Sequence, residues 1–319
     1  MTVEQAVEII CEKLNIEGEE AILILEKAIL GGEFTDVEDL DKWLNERFLP
    51  NIVFIDENGY ARMCVDALKI LSNTADTDYG GSRQRDLGQK WADMTRGYLG
   101  EHAFKKYLES IWKIECNLGH EVGMIQDYLP MDIHQVRDPG GEYRVPKIKI
   151  SLKTSKWNGI WLDIPGAQFA HSDVHVFIKI GAGKDHLFAF FKHISVFKDK
   201  VLKKGEEVGS LTKDEASELF TKLPTFKPIP AYICGFVLKN KDYNPLSYEG
   251  KKGRKNYNIT AWNGPIKPGD LDEIKQIESI TGSVKFQSIQ EFSHDTGYLF
   301  NTGNLLWQRE EWQRIIAQL

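Results

Sequence analysis

Apolar residues recur at three- and four-residue steps over 3–14, 18–30, 36–48 and 60–72, so the first quarter of the chain reads as helical. Thr35-Asp36, with Glu38 and Asp39 just behind, suits the start of the third of these helices. A segment rich in Gly, Asp and Thr at 74–82 interrupts the pattern. A long helix is expected from about 83 to 110, weakened locally by Gly88, Gly97 and Gly100. The pattern then shortens to β-like runs at 112–118, 131–136, 147–154, 173–180 and 186–191. The third alternates strictly, with Lys147, Lys149, Ser151 and Lys153 on one face and Ile148, Ile150 and Leu152 on the other. Gly181-Ala-Gly183-Lys184 reads as a hairpin turn between the last two runs. A helix over 211–222, β-like runs over 230–238 and 256–262, and a closing amphipathic helix from Trp307 to Leu319 complete the chain. This order predicts an α/β protein, a mixed sheet flanked by helices behind a helical N-terminal region.

Composition narrows the class without naming a function. At 42% apolar and 27% charged, the 319-residue chain has the balance of a globular protein. It holds no apolar run of membrane-spanning length, and its acidic beginning does not resemble a secretory signal, so a cytoplasmic protein without a membrane partner is expected. Cys11, Cys64, Cys116 and Cys234 lie far apart and read as reduced thiols rather than a zinc site. A net charge of -7 argues against passive coating of nucleic acid but leaves room for a local basic cleft. One basic stretch exists: 239–257 carries six basic residues against two acidic ones.

Candidate chemistry lies on two of the β-like runs. Asp132 opens one and Ser151-Leu152-Lys153 lies in the next, with His134 sharing the Asp132 face. If those strands are neighbours, a carboxylate, a hydroxyl and an ammonium converge. That set suits metal-assisted phosphodiester hydrolysis, in which the carboxylate holds a hard cation and the lysine positions or activates a water. Glu101 lies on a mostly apolar helical stripe with Met94, Tyr98, Phe104 and Leu108, where a carboxylate requires a partner, a proton or a metal. Simpler readings stay open. Asp132 could cap a turn, Glu101 could pair with a buried base, and Lys147 and Lys149 could form the solvated face of an edge strand.

Three motifs together, Gly100-Glu101-His-Ala-Phe on a helix, Pro130-Met-Asp132 opening a strand and Ser151-Leu-Lys153 in the next, resemble the PD-(D/E)XK nuclease superfamily and its type II restriction endonucleases. The resemblance spans roughly 90–195. It implies a restriction-endonuclease-like catalytic domain over 81–319, with 1–80 serving dimerisation or accessory DNA contact. It further implies sequence-specific, Mg2+-dependent cleavage of double-stranded DNA by a homodimer, with Mn2+ able to substitute. Asp132, Glu101 and the backbone carbonyl of Leu152 would hold the metal, and Lys153 would orient the attacking water. The family's usual motif has an acid two residues before the lysine, where this chain has Ser151. Asp163, Glu101 or, less directly, Gln168 could supply the missing ligand. Lys156, Trp157, Asn158 and Gln168 would face DNA, as would Lys251, Lys252, Arg254 and Lys255 of the basic stretch. A repair, junction or mobile-element nuclease, or a non-catalytic DNA-binding protein on a degenerated nuclease core, is the alternative.

Overall fold

The computed structural model describes residues 1–71, 86–119, 131–183, 185–239, 248–252, 255–261 and 297–319. Its centre is a four-stranded sheet in the order β1 (Ile52–Ile55), β7 (Ile229–Leu238), β6 (Val174–Ile180) and β4 (Ile150–Lys156). β6 runs parallel to β4 and antiparallel to β7, so β4 forms one edge. A β2–β3 hairpin (Glu115–Leu118 with Ile133–Arg137) leads into that edge. A second sheet has the order β5 (Trp161–Pro165), β10 (Gly297–Asn301), β9 (Lys255–Ala261) and β8 (Tyr248–Lys252).

Every residue of β6 is buried, because both faces of the central sheet are covered. Val174, Val176, Ile178 and Ile180 join a core with α4 (Glu57–Ile70), α5 (Leu87–Tyr107) and α10 (Arg309–Ile316). Phe177 joins a second core with α1 (Val3–Leu14), α2 (Gly18–Leu30), α3 (Val37–Lys42), β5 and β10. Gly235 is required where β7 bends. Its φ is +133°, and a Cβ there would come within 2.5 Å of the Leu306 carbonyl as the C-terminal segment crosses the strand.

The predicted mixed α/β class with helices on both faces is observed, and several elements differ from expectation. Ile52–Ile55, too short for its pattern to register, is a strand of the central sheet. A boundary at residue 80 therefore separates chain segments but not cores: α1–α3 pack on residues from β5, β7 and β10. The run at 186–191 is helical (α7, His186–His193), burying Ala189 and Phe190, and a short apolar run does not distinguish the two states. Gly181–Gly183 consequently leads from strand to helix rather than around a hairpin. The strand expected from 112 starts at Glu115, since Lys113 takes a left-handed conformation (φ 60°) that ends the preceding turn. Likewise β4 begins at Ile150 rather than Lys147. No helix among the described residues is long and apolar enough to cross a membrane.

The N-terminal layer is tied to the sheet by Glu33, in the α2–α3 loop. Its buried carboxylate accepts hydrogen bonds from Lys179 Nζ (3.0 Å), Trp43 Nε1 (2.9 Å) and the Tyr232 hydroxyl (3.0 Å). Arg47 Nε stands 3.9 Å away, and its Nη2 donates to the Thr302 carbonyl at 2.5 Å. Burial alone would raise the Glu33 pKa, but Lys179, Arg47 and the Trp43 hydrogen bond outweigh it and hold the group at about 2, against an ordinary 4.5. The folded value is the lower one. Its stabilisation, about 3 kcal/mol, is therefore complete above the ordinary value and shrinks as pH falls towards the folded one. Glu33→Gln should destabilise the protein by about 3–5 kcal/mol near neutrality. In urea titrations, the gap from wild type should narrow between about pH 5 and pH 3; a gap constant with pH would contradict this account.

Candidate active site

The site forms along the free edge of β4. Strand pairing directs the Lys149 carbonyl towards β6, where it accepts from Val174, and leaves the even-numbered backbone groups facing outward. Asp132 meets them there. Its N–H donates to the Ile150 carbonyl at 2.9 Å, and its Oδ2 accepts the Leu152 N–H at 2.5 Å. In an extended strand the N–H and C=O of one residue point the same way, so the Leu152 carbonyl opens on the side that Asp132 occupies. Asp132 thus meets the Ser151–Lys153 strand through its own N–H and its carboxylate, while β3 itself pairs with β2 and forms no ladder with β4.

Glu101 reaches the same edge from α5 because the helix lies unusually close to β4. A Cβ on Gly100 would stand 1.8 Å from Thr154 Oγ1, whereas one on Gly97 would meet nothing within 4 Å. Thr154 Oγ1 also donates to the Gly97 carbonyl at 3.4 Å. The two glycines, read from sequence as weak points, therefore differ. Gly100 is a contact surface, and the residue after it is Glu101.

Lys153 occupies the middle. Its Nζ donates to Gln168 Oε1 on α6 (Gly166–His171), the short helix following β5. Burial lowers the pKa of Lys153 below the usual lysine range, opposed by the charges of Asp132, Asp163 and Glu101. Burial raises Glu101 well above the carboxylate range, the Asp132 charge adds to it, and Lys153 opposes. Asp132 is raised by burial, against the Leu152 hydrogen bond and the charges of Lys153 and His134. Asp163, on β5, is pushed up to about 6 by burial with Lys153 opposing. Four ionisable groups from α5, the start of β3, β4 and β5 thus feel one another, and each is perturbed toward its neutral form, a pattern concentrated at functional sites.

Ser151 is buried at the position where an acid was expected, and its hydroxyl lies near enough to Asp132 to favour the charged carboxylate. Its neighbour across the sheet is His175, a fully buried ring stacked on Phe169 at 5.3 Å and held to a pKa of about 4 by burial and the Lys153 charge. His175 was not among the sequence candidates; a histidine within the mostly apolar run 174–180 was the available signal. Gln168, expected to face DNA or to stand in for an acid, engages Lys153.

The residues expected to contact DNA beyond Lys153 are not brought together. Trp157 is buried in the N-terminal core, with Nε1 donating to Glu20 at 2.7 Å, so its ring cannot stack on a base. Lys156 and Asn158 line a cavity of about 840 Å³ together with Glu19, Glu20, Glu26 and Lys27 of α2, a setting less favourable to phosphate than a purely basic cleft. Lys251 and Lys252 lie on β8 and Lys255 on β9, in the second sheet, while Arg254 lies outside the described residues. Pro130 of the expected strand motif also lies outside them.

Gly100→Ala should destabilise the protein by roughly 1–3 kcal/mol, through its collision with Thr154. Gly97→Ala, with open space and better helix propensity, should be neutral or stabilising by up to about 1 kcal/mol. Urea unfolding of the two variants checks this; equal effects would show that the close approach does not fix α5. No family model, curated protein or solved structure matches the chain.

Proposed function

We propose that the protein is a Mg2+-dependent nuclease that hydrolyses phosphodiester bonds of double-stranded DNA on a restriction-endonuclease-like core. The observation that carries this reading is the convergence of Glu101, Asp132 and Asp163 on Lys153 at the edge of β4. The chain order α5, β2, β3, β4, β5, α6, β6, with β4 parallel to β6, supports it. Sequence-specific cutting, as by a type II restriction enzyme, and a homodimer matching a two-fold site are part of the proposal.

Glu101, Asp132 and the Leu152 carbonyl would hold the ion. Two carboxylates and a carbonyl suit Mg2+, which keeps several waters and takes further oxygens from a substrate phosphate. The ion would supply charge neutralisation and an acidified water. The chain supplies the rest. The Leu152 N–H fixes one oxygen of Asp132 and leaves the other uncommitted by that bond. Gln168 holds Lys153 by a hydrogen bond that leaves the ammonium further donors for a water or phosphate oxygen. Its lowered pKa makes proton exchange with such a water easier. Asp163, on the Lys153 side, is the carboxylate best placed to offset Ser151.

A second reading has its own support. Ser151 lacks a carboxylate, and among the described residues no group of three or more His, Cys, Asp or Glu is close enough to hold a metal. A DNA-binding protein on a nuclease-like core would have these properties. Plasmid incubated with Mg2+ separates the two. A nuclease yields discrete fragments, stops with EDTA and retains activity in Mn2+. Lys153→Ala should cut about 10²–10⁴-fold more slowly while still binding DNA. Equal cleavage by wild type and variant, or none by either while both bind, ends the enzymatic reading.

A further inference from the structure

The charge around β4 is asymmetric. At its C-terminal end, Lys156 shares a cavity with Glu19, Glu20 and Glu26 of α2 as well as Lys27, so acids outnumber bases there. At its N-terminal end the approach to the strand is cationic. Burial alternates from Val145 to Ile150: Pro146, Ile148 and Ile150 turn inward while Lys147 and Lys149 are exposed. Lys147 borders a cavity of about 570 Å³ together with Arg314 of α10, which is also exposed. Among the described residues, none of the three cationic side chains has a hydrogen-bond or ion-pair partner.

Two carboxylates border the same cavity, and both are engaged by backbone. Asp173 Oδ2 accepts the Lys149 N–H at 2.9 Å, and Glu311 Oε2 accepts the N–H groups of Trp307 (3.1 Å) and Gln308 (3.3 Å). Arg144, paired across the hairpin to Val136, continues the cationic side outward beside the exposed Tyr143. Its ion pair with Asp138 is solvent-exposed on both sides, so it offers little resistance to exchange for a phosphate.

We propose that Lys147, Lys149 and Arg314 form the track along which nucleic-acid phosphates approach Lys153. The proposal rests on the nuclease reading and replaces the 156–158 segment as the expected DNA contact. Successive residues of a strand advance about 3.3 Å, which sets Lys149 about 13 Å before Lys153. That is a separation of a few phosphates on one strand, each advancing about 3.4 Å along the duplex axis. Exposed lysines at this spacing hold a backbone without reading its sequence.

Fluorescence anisotropy with a labelled duplex in EDTA, over a salt series, tests the track without cleavage. The double variant Lys147→Ala, Lys149→Ala should lower the slope of log K against log salt by about 2, one unit per lost phosphate contact. The corresponding double Arg variant should keep the wild-type slope. If the wild type binds and the Ala variant keeps its slope, or if Lys156→Ala carries the loss instead, the track is overturned while the nuclease reading stands. If the wild type neither binds duplex nor cuts plasmid in Mg2+, the nuclease reading falls and the track with it.

Discussion

A carboxylate with no solvent access organises this molecule. Glu33 receives a lysine from β6, a tyrosine from β7 and a tryptophan from the turn after α3. Arg47, beside it, carries the connection to the Cys234 and Thr302 carbonyls. Removing any one cation would leave a charge that the surrounding protein cannot solvate. Four distant parts of the chain must therefore be in place together: the N-terminal helices, both inner strands and the segment after β10. With that side fixed, the opposite face of the sheet can receive α5 and its glutamate in one position.

The edge of β4 has a different logic. Around Glu33, opposite charges are matched and hydrogen-bonded, and the carboxylate stays ionised. Around Lys153, three carboxylates and one ammonium share a partly buried space, and each is pushed toward neutrality. An incoming cation would offset the carboxylate charges that burial leaves poorly solvated there.

Much of this edge was legible in the chain. Alternation around Ile150 and Leu152 marked β4, and the helix–strand order set Glu101, Asp132 and Lys153 on a helix and two later strands in turn. What could not be read was long-range. Glu33 and Lys179 lie 146 residues apart and nothing local relates them. A lysine inside the mostly apolar strand Val174–Ile180 was the one hint of a buried partner for Glu33. Trp157 looked like a substrate contact because it follows Lys153 so closely, yet its side chain belongs to a core built mainly from the first fifty residues. The switch of 186–191 from strand to helix is of the same kind, since tertiary packing decides short apolar runs.

The position of Asp132 has one more consequence. An edge strand presents outward-facing N–H and C=O groups, and those groups invite pairing with strands of other molecules. Here Asp132 occupies the outward Leu152 N–H with its side chain and the Ile150 carbonyl with its own N–H. It thus closes part of the edge without adding a strand. A change at this residue would uncover a hydrogen-bonding template flanked by Ile150 and Leu152. Asp132 therefore has a structural role at this edge that does not depend on any chemistry at the site.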